Sequence, residues 1–164
     1  MLVVGGSSGI GNGIAQAFRA RGAEVHVWGT RANASDYDPA DGSDLGGLTY
    51  QQVDVGDPDA ITAATVDFDT LDSLVLCQGT VVYKRGEFER AGWGRVMAVN
   101  LDSLMHCANK LKPMLAKAHG SIIIVSSISG YSANVGNPAY AASKAGAISL
   151  TKTLGQAWAP EGIR

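Results

Sequence analysis

Short apolar runs alternate along the chain with longer amphipathic stretches. The runs are a few residues long and rich in β-branched side chains, which is typical of buried strands, whereas the stretches carry apolar residues three and four positions apart, as helices do. Five strands are predicted, at residues 2–4, 24–28, 50–53, 73–76 and 121–125. Three helices are predicted, at residues 11–21, 93–118 and 139–159.

Strands that alternate with helices predict an α/β fold with a Rossmann-like, doubly wound parallel sheet in three layers, α/β/α. The length of 164 residues suits one domain, residues 1–164. Two of the connections between strands show little helical pattern. Residues 32–47 predict an irregular crossover, and residues 57–70 have room for only a short helix. The aspartates of the first connection lack the spacing of a calcium loop and are interpreted as a solvated acidic loop: Asp36, Asp38, Asp41 and Asp44.

A glycine-rich turn directly follows the first predicted strand and leads into the first predicted helix. With the glycine spacing G-x-x-x-G-x-G, its residues include Gly5, Ser7, Ser8, Gly9, Ile10 and Gly11. Glycine permits a tight turn and lets backbone N–H groups approach a pyrophosphate, which the positive end of the next helix stabilises. In an arbitrary loop the same residues would be only a structural turn. The position between strand and helix favours dinucleotide binding.

Tyr140 and Lys144 are four residues apart in a helical stretch and therefore share a helix face. A phenol titrates at about pH 10, so it exchanges protons poorly at neutral pH unless a cation such as Lys144 stabilises its phenolate. Alone, Tyr-x-x-x-Lys is more often a surface pair. Ser127 follows the fifth predicted strand, whose end faces the ligand crevice, and can reach the same substrate oxygen as Tyr140. Asn100 offers an amide, and a helix kink or a satisfied core asparagine is an equal interpretation.

Four residues match the motifs of the short-chain dehydrogenase/reductase family in order and separation: Asn100, Ser127, Tyr140 and Lys144. The glycine spacing resembles the same family. The resemblance implies an enzyme that transfers hydride between a nicotinamide cofactor and an alcohol or carbonyl substrate, such as a 3-oxoacyl compound or a small ketone. It implies that Ser127 binds the substrate oxygen and that Tyr140 transfers the proton. It further implies that Lys144 stabilises the phenolate and holds the nicotinamide ribose, and that Asn100 positions a water.

The residues after the second predicted strand favour NADP(H) over NAD(H). An acidic side chain there would bind the 2′-hydroxyl of NAD, whereas the hydroxyl of Thr30 and the guanidinium of Arg31 suit a 2′-phosphate. Asp54, followed by Val55, resembles the adenine-contacting aspartate of the family, and a turn or helix-cap aspartate is nearly as plausible. Where the family has Asn-Asn-Ala-Gly after the fourth strand, only Gly79 is kept, which predicts weaker bracing near the cofactor.

The composition of the chain argues against several kinds of partner and site. A net charge of -2 with 17% charged residues provides no basic stripe, so nucleic acid is not expected as a partner. No apolar run reaches the roughly 20 residues that span a bilayer, and the N-terminus lacks signal-peptide features, which predicts a cytoplasmic protein with no membrane partner. Cys77 and Cys107 are interpreted as buried free thiols, and the three histidines lack ligand spacing, so no metal site is expected.

Family members are generally longer, so we expect this chain to correspond to their N-terminal two thirds and to lack the last strands. The fifth strand would then be an exposed apolar edge, and the chain alone is expected to bind cofactor weakly. A homo-oligomer, dimer or tetramer, is implied by the resemblance only. Two other classes stay open: a cofactor-binding protein or fragment without turnover, and a nucleotide-sugar epimerase, which shares Tyr-x-x-x-Lys but usually has the spacing G-x-x-G-x-x-G.

Overall fold

The computed structural model describes residues 1–164 apart from the side chain of Asp41, so the prediction made for that side chain lies outside the described residues. Over the described chain a parallel sheet has five strands in the order β3-β2-β1-β4-β5. The strands are β1 (Leu2–Val4), β2 (His26–Gly29), β3 (Thr49–Gln52), β4 (Ser73–Leu76) and β5 (Ser121–Ile124). The five predicted strands are therefore confirmed, with boundaries that shift by two residues at most.

Helices connect the strands along the described chain: α1 (Gly9–Arg19), α2 (Pro58–Ala63), α3 (Arg90–Met97), α4 (Ser103–Ala118) and α5 (Pro138–Trp158). The predicted irregular crossover at residues 32–47 is confirmed, since it contains only short 3₁₀ turns. The prediction of one helix over residues 93–118 is wrong in one respect. A π-helical segment, Ala98–Asp102, separates α3 from α4.

Helices cover both faces of the sheet, because successive strand residues point to opposite sides. Leu2 and Val4 belong to a buried cluster that includes side chains of α2, α4 and α5. Val3 faces the other way and packs with Ala15 of α1. This arrangement confirms the predicted three-layer, doubly wound fold.

The centre of the sheet is β1, which pairs with β2 on one side and β4 on the other. The chain runs outward from β1 to β3 and then crosses to β4, so the direction of winding reverses between β1 and β4. In open parallel sheets, ligands bind in the crevice at the carboxyl ends of the strands where this reversal occurs. The topology therefore points to one end of the sheet as the place for a site.

One side of the described sheet ends at β5. Arg164 begins to pair with its free edge, since Ile122 N–H donates to the Arg164 carbonyl at 2.7 Å and Arg164 N–H donates to Gly120 at 3.0 Å. The Ile123 side chain is exposed. Ile122 and Ile124 instead pack against the core.

Candidate functional site

A cleft of about 550 Å³ opens at the carboxyl ends of the strands, where the winding reverses. Its walls come from the turn before α1, the ends of β2 and β3, the segment after β4 and the first turns of α5. Most of the predicted site residues line it: Gly5, Ser7, Ser8, Ile10, Gly11, Thr30, Asp54, Val55, Gly79, Tyr140 and Lys144. Residues that are as much as 139 positions apart in the chain are therefore brought together.

Four predicted site residues do not line the cleft: Gly9, Arg31, Asn100 and Ser127. Gly9 begins α1 with a φ of +54°, and the space beside its Cα is open. The side chains of the other three residues each contact the protein itself, as the next paragraphs describe.

The glycine turn is built around close backbone approaches. Gly5 has a φ of +74°, in the left-handed region that favours glycine, and its N–H donates to the Trp28 carbonyl at 3.0 Å. A Cβ added to Gly11 would collide with the carbonyl oxygen of Gly5. Ser8 precedes α1 with extended backbone, and its side chain does not cap the helix. The first N–H groups of α1 thus stand beside an open cradle, which fits an anionic pyrophosphate.

Tyr140 and Lys144 lie in the first two turns of α5. The Lys144 ammonium is 5.7 Å from the centroid of the Tyr140 ring. It donates to the Val125 carbonyl at 2.8 Å, which ties α5 to the end of β5. Burial lowers the pKa of Lys144, and its interaction with Cys77, another cleft residue, opposes that shift. The spacing prediction that the two side chains share one helix face is confirmed.

Asn100 is fully buried in the π-helical segment behind the cleft. Its amide donates to the Thr80 carbonyl at 2.9 Å, and its Oδ1 accepts from the Thr80 N–H at 2.7 Å. A second donation reaches Ser143 Oγ of α5 at 3.3 Å. A Cβ on Gly79 would lie 3.8 Å from Asn100 Oδ1 and 3.9 Å from Lys144 Nζ, so Asn100 stands directly behind the cleft wall.

Ser127 starts the 3₁₀ turn Ile128–Gly130, where its Oγ accepts from the Ser129 N–H at 3.1 Å. The neighbouring Ser126 lines the cleft instead, and its hydroxyl donates to the Lys144 carbonyl at 2.9 Å. Both serines therefore lie at the junction of β5 and α5.

Tyr37, in the irregular crossover, does not line the cleft but braces the backbone at the end of β2, a contact that was not predicted from the sequence. Its hydroxyl accepts from the N–H groups of Thr30 at 3.0 Å and Arg31 at 3.1 Å. Burial by itself raises the pKa of Tyr37, but hydrogen bonds from Arg31, Ser7 and neighbouring groups together lower it. The Arg31 guanidinium lies 4.7 Å from the Tyr37 ring centroid and donates to the Asp36 carbonyl.

Two further polar residues near the cleft gave no sequence signal. Gln78 lines the cleft and is buried, and its Nε2 donates to Ser103 Oγ at 2.9 Å, whereas its Oε1 has no partner among the described residues. Glu87 is fully buried, and its carboxyl group accepts from the Tyr140 N–H at 2.9 Å. Both contacts join segments that are distant in the chain, which explains why local patterns could not reveal them.

Two other kinds of feature are absent from the described part of the chain. Within it, no three His, Cys, Asp or Glu side chains converge as metal ligands would. No helix there combines the length and apolarity needed to cross a bilayer.

Known proteins resemble this chain over its whole length. The family model described as short chain dehydrogenase matches residues 1–164. The 3-oxoacyl-[acyl-carrier-protein] reductase FabG of Chlamydia muridarum is 33% identical over 174 residues, which cover 99% of this chain and 69% of that reductase. The 2-dehydro-3-deoxy-L-rhamnonate dehydrogenase (NAD(+)) of a Sphingomonas species is 31% identical over 169 residues, which cover 99% of this chain and 67% of that enzyme.

A solved structure, the RhlG/NADP active-site complex of Pseudomonas aeruginosa, superposes with a TM-score of 0.85 and 28% identity. The match covers 99% of this chain and 68% of that one. This chain thus spans about two thirds of the length of the proteins it matches.

Proposed function

Since the chain belongs to the short-chain dehydrogenase family of NAD(P)-dependent oxidoreductases, we propose that it transfers hydride between NADP(H) and an alcohol or carbonyl substrate. A 3-oxoacyl compound or a small ketone is the proposed substrate class. One observation carries the proposal. Tyr140 and Lys144 line the same cleft as the glycine turn, so a proton donor and a dinucleotide cradle face one space.

The proposed proton transfer uses the phenol of Tyr140 and the substrate oxygen. An ammonium 5.7 Å from the ring centroid stabilises negative charge on the phenolate, and the hydrogen bond of Lys144 to Val125 holds that charge in place. Ser127 follows the cleft-lining Ser126 and is proposed to reach the substrate oxygen from just outside the cleft lining. Its Oγ accepts from the Ser129 N–H, so its own proton is left to donate. When bound, the nicotinamide supplies or accepts the hydride.

Asn100 is proposed to support the site from behind. Its amide bonds both polar groups of the Thr80 backbone, so it holds the segment after β4 against α5. The family resemblance implies a water at Asn100 in the proton path. To bond the Asn100 side chain, that water would have to displace one of its bonds on the side that faces the cleft.

The residues proposed to hold the dinucleotide follow the cleft wall. The glycine turn and the start of α1 would bind the pyrophosphate, while Asp54 and Val55 at the end of β3 would bind the adenine. Thr30 and Arg31 support NADP(H) over NAD(H), because no carboxylate occupies the end of β2. One similar protein is an NAD(+) dehydrogenase and one similar solved structure is an NADP complex, so the similar proteins do not agree on the cofactor. The proposed preference for NADP(H) therefore depends on Thr30 and Arg31 of this chain.

A homo-oligomer and a cytoplasmic location stay predictions from the sequence.

The proposed activity is tested by measuring the absorbance of NADPH and NADH as they are oxidised in the presence of a panel of 3-oxoacyl thioesters and small ketones. We expect turnover with NADPH to exceed turnover with NADH, and Tyr140→Phe to lower kcat by about 10²-fold or more with little change in dinucleotide Kd. Tyr83→Phe, which alters an exposed tyrosine, is the control and should keep full activity. Dinucleotide binding without turnover would support the cofactor-binding class instead, and full activity of Tyr140→Phe would exclude its role.

A further inference from the structure

Glu87 is a buried acid that the proposed reaction does not use. It lies in the 3₁₀ turn Gly86–Phe88 between β4 and α3, and its exposed fraction is 0%. Over the described residues, no Lys, Arg or His nitrogen forms an ion pair with it. Burying a carboxyl group is costly unless hydrogen bonds stabilise it. The contacts of Glu87 therefore have to account for its position.

All hydrogen bonds to the Glu87 carboxyl group come from N–H donors. Oε1 accepts from the Val82 N–H and from the Asn137 amide, each at 3.1 Å, and Oε2 accepts from the Tyr140 N–H at 2.9 Å. Both oxygens of the Glu87 carboxyl group therefore act as acceptors. The side chain joins the segment after β4 to the start of α5.

Glu87 takes the place of a local helix cap. The first N–H groups of a helix have no partner within it, and a side chain at the preceding position commonly accepts from one of them. Asn137 occupies that position in α5, but its side chain makes no such bond and donates to Glu87 instead. The Tyr140 N–H is bonded by a residue 53 positions earlier in the chain.

The turn that presents Glu87 is held in an unusual backbone conformation. Lys84 and Arg85, which are not glycines, have φ values of +57° and +61°, in the left-handed region. A Cβ on Gly92 would collide with the carbonyl oxygen of Gly86, so α3 packs tightly against the turn. Such conformations persist where the surrounding structure imposes them.

We propose that Glu87 is a positioning residue for Tyr140, which it acts on by fixing the first turn of α5. The proposal rests on the proposed function, in which Tyr140 transfers the proton. Lys144 is anchored separately, through its ammonium on Val125 and its carbonyl on Ser126. Glu87 therefore controls the tyrosine end of the pair and leaves the lysine end in place. A misplacement of about 1 Å at a reacting group can lower a rate about 10²-fold.

The first variant is Glu87→Gln, which keeps the size of the side chain but turns one acceptor into a donor that faces other donors. We expect kcat to fall about 10-fold to 10²-fold, while the substrate KM and the dinucleotide Kd change less than about twofold. Glu89→Gln is the matched control, because that glutamate is exposed and its side chain caps no helix. It should retain the wild-type kcat.

The second variant, Glu87→Gln with Asn137→Asp, exchanges the amide and the carboxylate. The aspartate can accept from the new glutamine amide, which orders that side chain with its oxygen on the Tyr140 N–H. Only the Val82 N–H then loses its acceptor, and because it does not bond Tyr140 we expect kcat to return to within about threefold of the wild type. Asn137→Asp alone places two carboxylates together and should lower kcat. Failure of the double variant to exceed Glu87→Gln would overturn the proposal, as would a wild-type kcat in Glu87→Gln with only a lower unfolding midpoint.

A readout that needs no turnover is amide hydrogen exchange at Tyr140 in the protein without cofactor. Exchange at this amide should be at least about tenfold faster in Glu87→Gln, with the central amides of α5 unchanged. Unchanged exchange at Tyr140 would overturn the positioning role whatever the activity. Full activity of Tyr140→Phe, with exchange still altered in Glu87→Gln, would overturn the proposed function and leave the contact to α5 intact.

Discussion

Single residues decide whether the turn between β1 and α1 can accept a ligand. Gly11 has no room for a side chain, because a Cβ would collide with the Gly5 carbonyl oxygen. Gly13, two positions later in the same helix, has nothing within 4 Å of an added Cβ. The two glycines look alike in the sequence, and only the first is required by the shape of the turn.

The contrast gives a matched pair of variants. Gly11→Ala should lower the free energy of unfolding by about 1–3 kcal/mol through overpacking and weaken NADPH binding at least about tenfold, because the cradle must widen. Gly13→Ala should raise the free energy of unfolding by about 0.5–1 kcal/mol, since alanine favours a helix interior, and leave binding unchanged. Urea unfolding and a fluorescence titration with NADPH measure both. Equal NADPH affinities in the two variants would contradict the cradle.

Among the secondary-structure elements, the π-helical segment between α3 and α4 links these two helices to the wall of the cleft, because its Asn100 bonds the cleft-lining Thr80. The apolar periodicity predicts one helix there, but the π-helical segment Ala98–Asp102 turns Asn100 toward Thr80. The Ser103 hydroxyl donates to the Val99 carbonyl at 2.6 Å within the same region. Asn100 is therefore a fully hydrogen-bonded buried asparagine within a π-helical segment.

The junction predicts the effect of removing the Asn100 amide. Asn100→Ala leaves the Thr80 N–H and carbonyl without their partner and should lower the free energy of unfolding by about 1–3 kcal/mol, with reduced activity. Ser143→Ala removes one acceptor of the same amide and the donation of the Ser143 hydroxyl to the Tyr140 carbonyl, but it leaves both Thr80 bonds in place and should cost less than about 1 kcal/mol. Urea unfolding followed by circular dichroism compares them. An equal cost for both variants would refute the bridging role of Asn100.

At the scale of the whole molecule, burial gives the two cysteines different properties. Cys107 is a residue of α4 and is completely buried in the core, whereas Cys77 is half-buried and lines the cleft. The prediction that both thiols are buried therefore holds fully only for Cys107. Burial raises the pKa of Cys107 to about 12 from the ordinary value of 9.0. The folded state thus resists ionisation of a thiol that the unfolded chain ionises readily.

The Cys107 thiol loses its proton at a lower pH in the unfolded chain than in the folded protein, so the free energy of unfolding falls as the pH rises. Below pH 9.0 this thiol causes no loss of stability, and the loss develops between pH 9.0 and about 12. At about pH 10.5 the loss should be about 2 kcal/mol. Cys107→Ala should lose correspondingly less stability than the wild type between about pH 8 and pH 10.5, as measured by urea unfolding. Identical pH dependence in the two proteins would contradict the burial of this thiol as its cause.

How far the sequence leads can be judged from particular residues. The pairing of Tyr140 with Lys144 and the glycine turn before α1 were predictable, because each depends on spacing within a few residues. β2 begins at His26, two residues later than predicted, because the paired register with β1 and β3 starts there although Val25 already belongs to the apolar run. Ser127 and Arg31 were predicted at the site, but only the fold decides that their side chains contact Ser129 and Asp36.

Spacing along the chain is enough to predict the succession of strands and helices, the face shared by Tyr140 and Lys144, and the tight glycine turn before α1. These properties depend on periods of two and 3.6 residues and on local glycine spacing. The bond of Glu87 to the Tyr140 backbone and that of Tyr37 to the end of β2 follow from the fold alone. Such contacts depend on which strand ends the sheet brings together, and no local pattern in the chain encodes that proximity.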